Sequence, residues 1–98
     1  MEPMNEEYCV YIMTNKYNTA LYTGVTNDLS RRVWEHKSGV GSEFASRYRT
    51  TKLVYFEVTP SIKAAILREK QIKAGSRQKK MDLIAGLHPS WADLSDTL

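Results

Sequence analysis

The chain has 98 residues, of which 42% are hydrophobic and 26% charged, and a formal net charge of +3. This length suits one domain with a buried core, and the composition is ordinary for a globular protein. The chain has a single cysteine, which argues against a disulfide framework and a zinc knuckle. It has no apolar run near the ~20 residues of a membrane helix, which argues against a membrane protein.

We expect one domain over residues 1–98, with a core at 8–85 and terminal extensions at 1–7 and 86–98. The N-terminal sequence MEPMNEEY is acidic and lacks the basic region and apolar core of a signal peptide. We therefore predict a cytoplasmic protein.

Charge is distributed unevenly along the chain. Residues 31–80 have a local balance of +9, and the remaining residues have a balance of −6. A basic centre suits a polyanionic partner such as nucleic acid. A solvated surface without a partner is the more common explanation of such charges, so charge alone favours that explanation.

Two strands open the predicted fold. Tyr8 to Thr14 and Ala20 to Val25 are rich in β-branched and aromatic residues, and the short turn-rich link between them predicts an antiparallel hairpin. Tyr11 and Tyr22 share a face of this hairpin if the register allows it. Gly24 either leaves room for a substrate beside Tyr22 or forms a bulge that steers the chain into the next helix.

A helix capped by Asn27 or Asp28 should follow and run to about Lys37. Leu29 and Val33 lie four residues apart and are predicted to face the core. Arg32 and His36 are also four apart, so both side chains should project from one side of the helix at the edge of the core.

A loop and a third strand come next in the prediction. The loop begins at Ser38 and carries basic residues among aromatic ones, a mixture that contacts phosphates and bases or only fixes the loop to the body. The residues concerned are Phe44, Arg47, Tyr48 and Arg49. Lys52 to Val58 is apolar at its centre, which predicts a strand in the middle of the sheet or in a well-covered part of it.

The next helix is predicted to start with Thr59 as N-cap and Pro60 in its first turn, and to stop at Gly75. Its buried stripe should comprise Ile62, Ala65, Ile66 and Ile72. Glu69 falls on the same stripe. A carboxylate there needs a partner, so we expect either an ion pair, for example with Arg32, or a hard divalent cation.

The C-terminal part is predicted to form a helix from Arg77 to Ala85, ended by Gly86. The tail beyond it, with Trp91 and Leu94, should form a short cap on the body.

Several kinds of site are not supported by the sequence. It has no Gly-rich phosphate loop, so we expect no nucleotide cofactor. Cys9 lies in a predicted strand without a marked histidine partner, and two distant histidines make no zinc site. The remaining residues are Tyr11, Tyr22, Arg32, His36 and Glu69. They suit phosphodiester hydrolysis, since a carboxylate can hold a cation, arginine can stabilise charge, and tyrosine or histidine can position and deprotonate water.

These residues resemble the GIY-YIG nuclease family over Cys9 to about Ile84. Val10-Tyr11 is similar to the end of the first family motif, and Tyr22-Thr23-Gly24 to the second. Arg32 matches the catalytic arginine, His36 a position that is His or Tyr in the family, and Glu69 the metal-binding glutamate. The chain departs from the family pattern at Cys9, at Val25 and in lacking any asparagine after Asn27.

The resemblance implies an α+β fold of a three-stranded antiparallel sheet flanked by about three helices. It also implies a DNA endonuclease that uses one Mg²⁺ or Mn²⁺ ion in repair, restriction or intron homing, usually directed by further domains, so a targeting protein is a candidate partner. Catalytic roles fall to Tyr11, Tyr22, Arg32, His36 and Glu69, with Glu69 holding the metal. DNA-binding roles are predicted for Arg47, Arg49, Lys70 and Lys73.

Two other functions remain open at this stage. One is a nucleic-acid-binding module without catalysis, which would use the basic centre and the Arg47–Arg49 segment. The other is an interaction domain in which the five polar residues are structural.

Overall fold

The computed structural model describes residues 7–40 and 42–98. In chain order it has strands β1 (Tyr8–Thr14) and β2 (Leu21–Thr26), helices α1 (Leu29–Ser38) and α2 (Glu43–Tyr48), strand β3 (Lys52–Thr59), helices α3 (Ile62–Ala74) and α4 (Arg77–Leu87), and a short 3₁₀ turn at Leu94–Thr97. Residues 1–6 of the expected N-terminal extension and Gly41 of the expected loop lie outside the described residues.

The three strands form one antiparallel sheet in the order β2–β1–β3. The predicted hairpin, the α+β class and the three-stranded sheet are confirmed. β3 is at an edge, so of the two expected places the middle of the sheet is wrong and the well-covered part is confirmed. Its apolar centre is explained by cover on both faces, because Leu53, Val54 and Tyr55 are all buried.

Alternation along the central strand divides the core into two layers. Val10 and Ile12 pack with Ala65 and Ile72 of α3 and with Ile84 of α4. On the opposite face, the apolar cluster has residues from β1, β3 and α1, namely Tyr11, Met13, Leu29, Val33 and Leu53. The sheet thus lies between α1 on one side and α3 with α4 on the other, and the predicted core residues Leu29 and Val33 are confirmed.

Helix α1 begins and ends by local chemistry. The Asp28 side chain accepts a hydrogen bond from the Arg31 N–H, which makes it the N-cap. Gly39 follows the helix with φ 75°, a left-handed conformation that glycine adopts without strain, and its N–H bonds to the Glu35 and His36 carbonyls.

The segment predicted as a loop contains helix α2 instead. Ser42 is its N-cap, accepting from the Ala45 N–H, and Arg49 follows it with φ 53°. A helix of six residues is too short to show a helical period in the sequence, which is why the pattern did not reveal it.

Helix α3 starts two residues later than predicted. Its N-cap is Ser61, whose hydroxyl accepts from the Ala64 N–H. Thr59 instead ends β3, where it pairs with Tyr8 of β1.

Two other details of the predicted helices are wrong. Ala65 and Ile72 are buried, but Ile62 and Ile66 are exposed, because α3 lies on a narrow sheet that covers only part of its surface. Gly86 lies within α4, which ends at Leu87 with His88 as its C-cap, and not at Gly86.

The C-terminal tail packs on the body as expected. Trp91 contacts the α3–α4 layer and Leu94 contacts the α1 layer. Asp93 joins the tail to two other elements, since its carboxylate accepts from Lys37 Nζ at 2.6 Å and from the Leu53 N–H at 3.1 Å. None of the helices formed by residues 7–40 and 42–98 is long and apolar enough to cross a membrane.

Candidate active site

The phenol of Tyr11 is the point at which two other predicted site residues, Arg32 and His36, meet. Tyr11 is fully buried near the middle of the central strand. Arg32 Nε donates to its hydroxyl oxygen at 3.4 Å, and His36 Nε2 lies 3.3 Å from the same oxygen. Arg32 and His36 are one turn apart on α1, so the four-residue spacing delivers both side chains to one phenol.

His36 is held in one orientation by Thr50, which lies in the link between α2 and β3. Its Nδ1 lies 3.2 Å from the Thr50 carbonyl oxygen and 3.3 Å from the Thr50 hydroxyl. A carbonyl only accepts hydrogen bonds, so in the neutral ring the hydrogen is on Nδ1. Nε2 is then free to accept from the Tyr11 O–H.

The titration of both groups follows from their burial. Burial lowers the pKa of His36 below its usual 6.5, which favours the neutral ring. Burial also raises the pKa of Tyr11 to about 12, although the hydrogen bond from Arg32 opposes this shift. At neutral pH the pair is therefore a protonated phenol beside an imidazole that can accept its proton.

Tyr22 completes an aromatic cluster with these two residues. Its ring centroid lies 6.1 Å from that of Tyr11 and 4.7 Å from that of His36, the latter in an edge-on arrangement. The predicted shared face of Tyr11 and Tyr22 is confirmed. Tyr22 is half-buried, so its ring lies between the buried phenol and solvent.

Gly24 has a role that neither sequence interpretation proposed. It is the direct cross-strand partner of Tyr11. A Cβ atom at this position would lie 2.6 Å from the Tyr11 hydroxyl oxygen and 2.7 Å from Cζ. Glycine is required here because the Tyr11 ring occupies the space that a side chain would need.

Arg32 is oriented by a carboxylate on its own helix. Its Nη1 donates to Glu35 Oε1 at 3.0 Å, and Glu35 also pairs with the exposed Arg31 at 3.4 Å. Of the alternatives left open for Glu69, the ion pair with Arg32 is wrong, because Arg32 pairs with Glu35 instead. The bonds of Arg32 to Tyr11 and Glu35 use Nε and Nη1 and leave Nη2 available for a ligand.

Glu69 lies on α3, whose buried residues pack on the other face of the sheet. Its side chain is 19% exposed and pairs with Lys73 one turn later at 3.2 Å. Among the described residues, no hydrogen bond or ion pair joins Glu69 to the tyrosine–histidine–arginine cluster, and no three acidic, histidine or cysteine side chains are grouped as metal ligands.

The residues predicted to bind DNA lie on two helices. Arg47 is on α2, with its guanidinium 5.6 Å from the centre of the Tyr48 ring, and Arg49 caps the same helix. Lys70 and Lys73 are exposed on α3 beside Glu69. The structure therefore groups the two arginines with the aromatic residues and the two lysines with the carboxylate.

Two residues of the cluster were missed from the sequence. Glu35 is three residues after Arg32 on the same helix, so the spacing of the two charges was a usable signal. Thr50 lies 14 residues after His36, in the link between α2 and β3, and no local pattern indicates such a contact.

Comparison with known proteins finds a family model and relatives that match most of the chain. The model of the GIY-YIG catalytic domain family matches residues 7–82. A UPF0213 protein of Haloquadratum walsbyi is 40% identical over 80 residues, which cover 82% of this chain and 89% of that protein. Another from Staphylococcus saprophyticus is 36% identical over 80 residues, covering 82% and 96%. The solution NMR structure of a UPF0213 protein from Bacillus halodurans is similar with a TM-score of 0.49 and 33% identity, covering 81% of this chain and 83% of that one.

Proposed function

The chain belongs to the GIY-YIG family, a nuclease superfamily, among relatives named UPF0213 proteins, and on that premise we propose that it is a metal-dependent endonuclease that hydrolyses DNA phosphodiester bonds. The observation that supports this best is the contact of one buried phenol with a guanidinium and a neutral imidazole. Structured DNA, such as branched or damaged substrates in repair or recombination, is the proposed target.

Arg32 is the proposed phosphate ligand. Its guanidinium is fixed on two sides by Tyr11 and Glu35, so its remaining N–H groups are held in place before a substrate arrives. A fixed cation stabilises the extra negative charge of a phosphorane-like transition state without reorganising. Tyr11, which is fully buried, has the role of orienting Arg32.

In this proposal Tyr22 orients the attacking water and His36 accepts a proton. Tyr22 is the phenol nearer to solvent, so it orients the water. The neutral His36 accepts a proton at Nε2 from the Tyr11 hydroxyl as that hydroxyl takes a proton from the attacking water, and the leaving oxygen is protonated by solvent. The high pKa of Tyr11 makes it a relay for protons and not a resident base.

Glu69 is the proposed ligand for one Mg²⁺ or Mn²⁺ ion. Magnesium typically uses only one or two protein carboxylates and completes its shell with water and substrate phosphate. The half-buried Glu69 carboxylate would supply one oxygen donor of that set, and Lys73 would have to give up its ion pair with Glu69. A cation bound there would supply charge neutralisation at a substrate phosphate.

The test is a cleavage assay on plasmid, flap and junction DNA with Mg²⁺ or Mn²⁺. Arg32→Ala should lower the rate about 10²–10³-fold, as does loss of one preorganised charge donor in other enzymes. Glu69→Gln should abolish cleavage. Arg31→Ala is the matched control, because Arg31 is exposed and pairs with the same Glu35.

Each outcome separates the proposals. Cleavage that is unchanged in Glu69→Gln would remove the metal assignment. DNA binding without cleavage of any substrate would support the catalytically silent nucleic-acid-binding module instead.

A further inference from the structure

A groove of about 560 Å³ opens directly beside His36. It lies between the β1–β2 turn, the C-terminal end of α1 and helix α2. Basic and aromatic side chains form much of its wall, namely Lys16, Lys37, Arg49, Tyr17 and Tyr48. No residue that lines it, among those the structure describes, is acidic.

The charge of this groove is largely uncompensated. Lys37 pairs with Asp93. Within the described part of the chain, Lys16 and Arg49 form no ion pair, and Lys16 instead lies 5.7 Å from the centre of the Tyr17 ring. Two unpaired cations in a concave wall concentrate positive potential and attract a polyanion.

The aromatic residues of the groove are open to solvent. Tyr17 is 74% exposed and Tyr48 45% exposed. Tyr48 also continues a series of ring contacts toward the candidate active site, 4.6 Å to Phe44 and from there 5.8 Å to Tyr22. Exposed rings beside unpaired cations are the combination that binds single strands, since bases stack on the rings and phosphates pair with the cations.

The groove leads to the proposed reaction centre. His36, whose Nε2 contacts Tyr11, is one of its lining residues. A strand in the groove would therefore lie about one helical turn from Arg32, the proposed phosphate ligand. In a duplex the base faces are covered by their neighbours, and a cavity of this volume has the size of a small-ligand pocket, far smaller than a double helix.

We propose that the groove bounded by Lys16, Tyr17, Tyr48 and Arg49 holds an unpaired segment of a DNA strand next to the scissile phosphate. This inference rests on the proposed endonuclease function and adds to it the substrate class: DNA with a single-stranded part adjoining the cut.

The first experiment measures binding alone. Fluorescence anisotropy with a labelled single-stranded oligonucleotide and with its duplex, in EDTA, should show tighter binding of the single strand. The double variant Tyr17→Ala/Tyr48→Ala should weaken single-strand binding at least about tenfold, since stacking on one ring is worth roughly 1–3 kcal/mol. Trp34→Ala is the matched control, because Trp34 is exposed on α1 and does not line the groove.

A second pair of variants tests the charges independently of the rings. Lys16→Ala should weaken single-strand binding, and Lys63→Ala, an exposed lysine on α3 outside the groove, should not. Equal affinity for single strand and duplex, or unchanged binding in both groove variants, would overturn the inference.

A cleavage assay distinguishes this inference from the proposed function. Fast cleavage of blunt duplex that the groove variants do not alter would overturn the groove assignment and leave the endonuclease in place. Single-strand binding that depends on the groove residues, with no cleavage in the presence of Mg²⁺ or Mn²⁺, would support the groove assignment and overturn the proposed endonuclease function.

Discussion

The hydroxyl of Tyr11 is buried between a cation that donates to it and an imidazole that accepts from it. This arrangement sets the protonation states of all three groups. The phenol stays protonated because burial raises its pKa to about 12, and the imidazole stays neutral because burial lowers its pKa. A single hydrogen bond to a carbonyl, at Thr50, then fixes which imidazole nitrogen faces the phenol.

The lowered pKa of His36 predicts a pH dependence of stability. Between the lowered pKa of the folded state and about pH 6.5, the unfolded chain binds a proton at His36 and the folded chain does not. The free energy of unfolding should therefore rise with pH through that window and level off above it. Urea unfolding of the wild type and His36→Gln from about pH 5 to 8 measures this.

The comparison with His36→Gln isolates one residue, since His88 is present in both proteins. The variant should lose the part of the slope that belongs to His36. Identical slopes in the two proteins would contradict the assigned burial effect.

Residue-scale prediction from the sequence succeeded where the relation was local. Arg32 and His36 are four apart on one helix, so their common direction follows from helical geometry alone. The link from His36 to Thr50 and the need for Gly24 beside Tyr11 depend on the packing of separate elements. No spacing in the sequence contains that information.

Among the elements, α3 is tied to β3 by a polar cluster outside the candidate site. Arg68 donates to both carboxylate oxygens of Glu57, at 3.0 Å from Nε and 2.9 Å from Nη2, and Tyr55 donates to the same carboxylate. Because Arg68 precedes Glu69, this cluster also fixes the rotation of α3 that places Glu69.

We expect Arg68→Met to lower the free energy of unfolding by about 1 kcal/mol, because a partly exposed pair contributes little even with two-pronged geometry. Burial opposes ionisation of Glu57, but the Arg68 and Tyr55 hydrogen bonds outweigh it and lower the Glu57 pKa. The stabilisation is therefore present above about pH 4.5 and lost as the pH falls through the lowered pKa.

Urea unfolding at about pH 7 and at pH 3 measures this difference, with Lys63→Met on the same helix as control. A difference between wild type and Arg68→Met that is as large at pH 3 as at pH 7 would assign the effect to packing and not to the ion pair.

Element boundaries were predictable where a long pattern or a cap was present. The hairpin, α1 and the presence of α3 followed from periodicity and turn residues. Helix α2 was not found because six residues contain no full repeat of a pattern. The start of α3 was misplaced because Thr59 and Ser61 are both good N-cap residues, and only the pairing of Thr59 with Tyr8 in the sheet decides between them.

The whole molecule combines a basic middle with acidic ends, as its sequence implied. Strand order could not be predicted, since an apolar centre in β3 suits both a central strand and an edge strand covered on two faces. The pairing of β3 with β1 brings Thr50 and α2 next to His36, and so the basic groove exists only in the assembled fold.

The affinity for DNA should therefore fall as the salt concentration rises, and replacing one cationic residue should change the slope of that fall by a known amount. Each phosphate contact by an arginine or lysine contributes about 0.7 to the slope of log affinity against log salt concentration for single strands. Arg49→Ala should lower that slope by about this amount, whereas Lys63→Ala should leave it unchanged. A titration from low to moderate NaCl measures both, and equal slopes for wild type and Arg49→Ala would exclude the predicted phosphate contact.

Because the Tyr11 ring lies so close to the Gly24 backbone, positions 11 and 24 on different strands should change together in related sequences. A larger residue at position 24 has room only if the ring at position 11 becomes smaller, and that replacement also removes the hydroxyl on which Arg32 and His36 converge. A glycine at position 24 on β2 therefore indicates that β1 carries an aromatic residue opposite it. Any relative that has lost this glycine should be inspected first at the position of Tyr11.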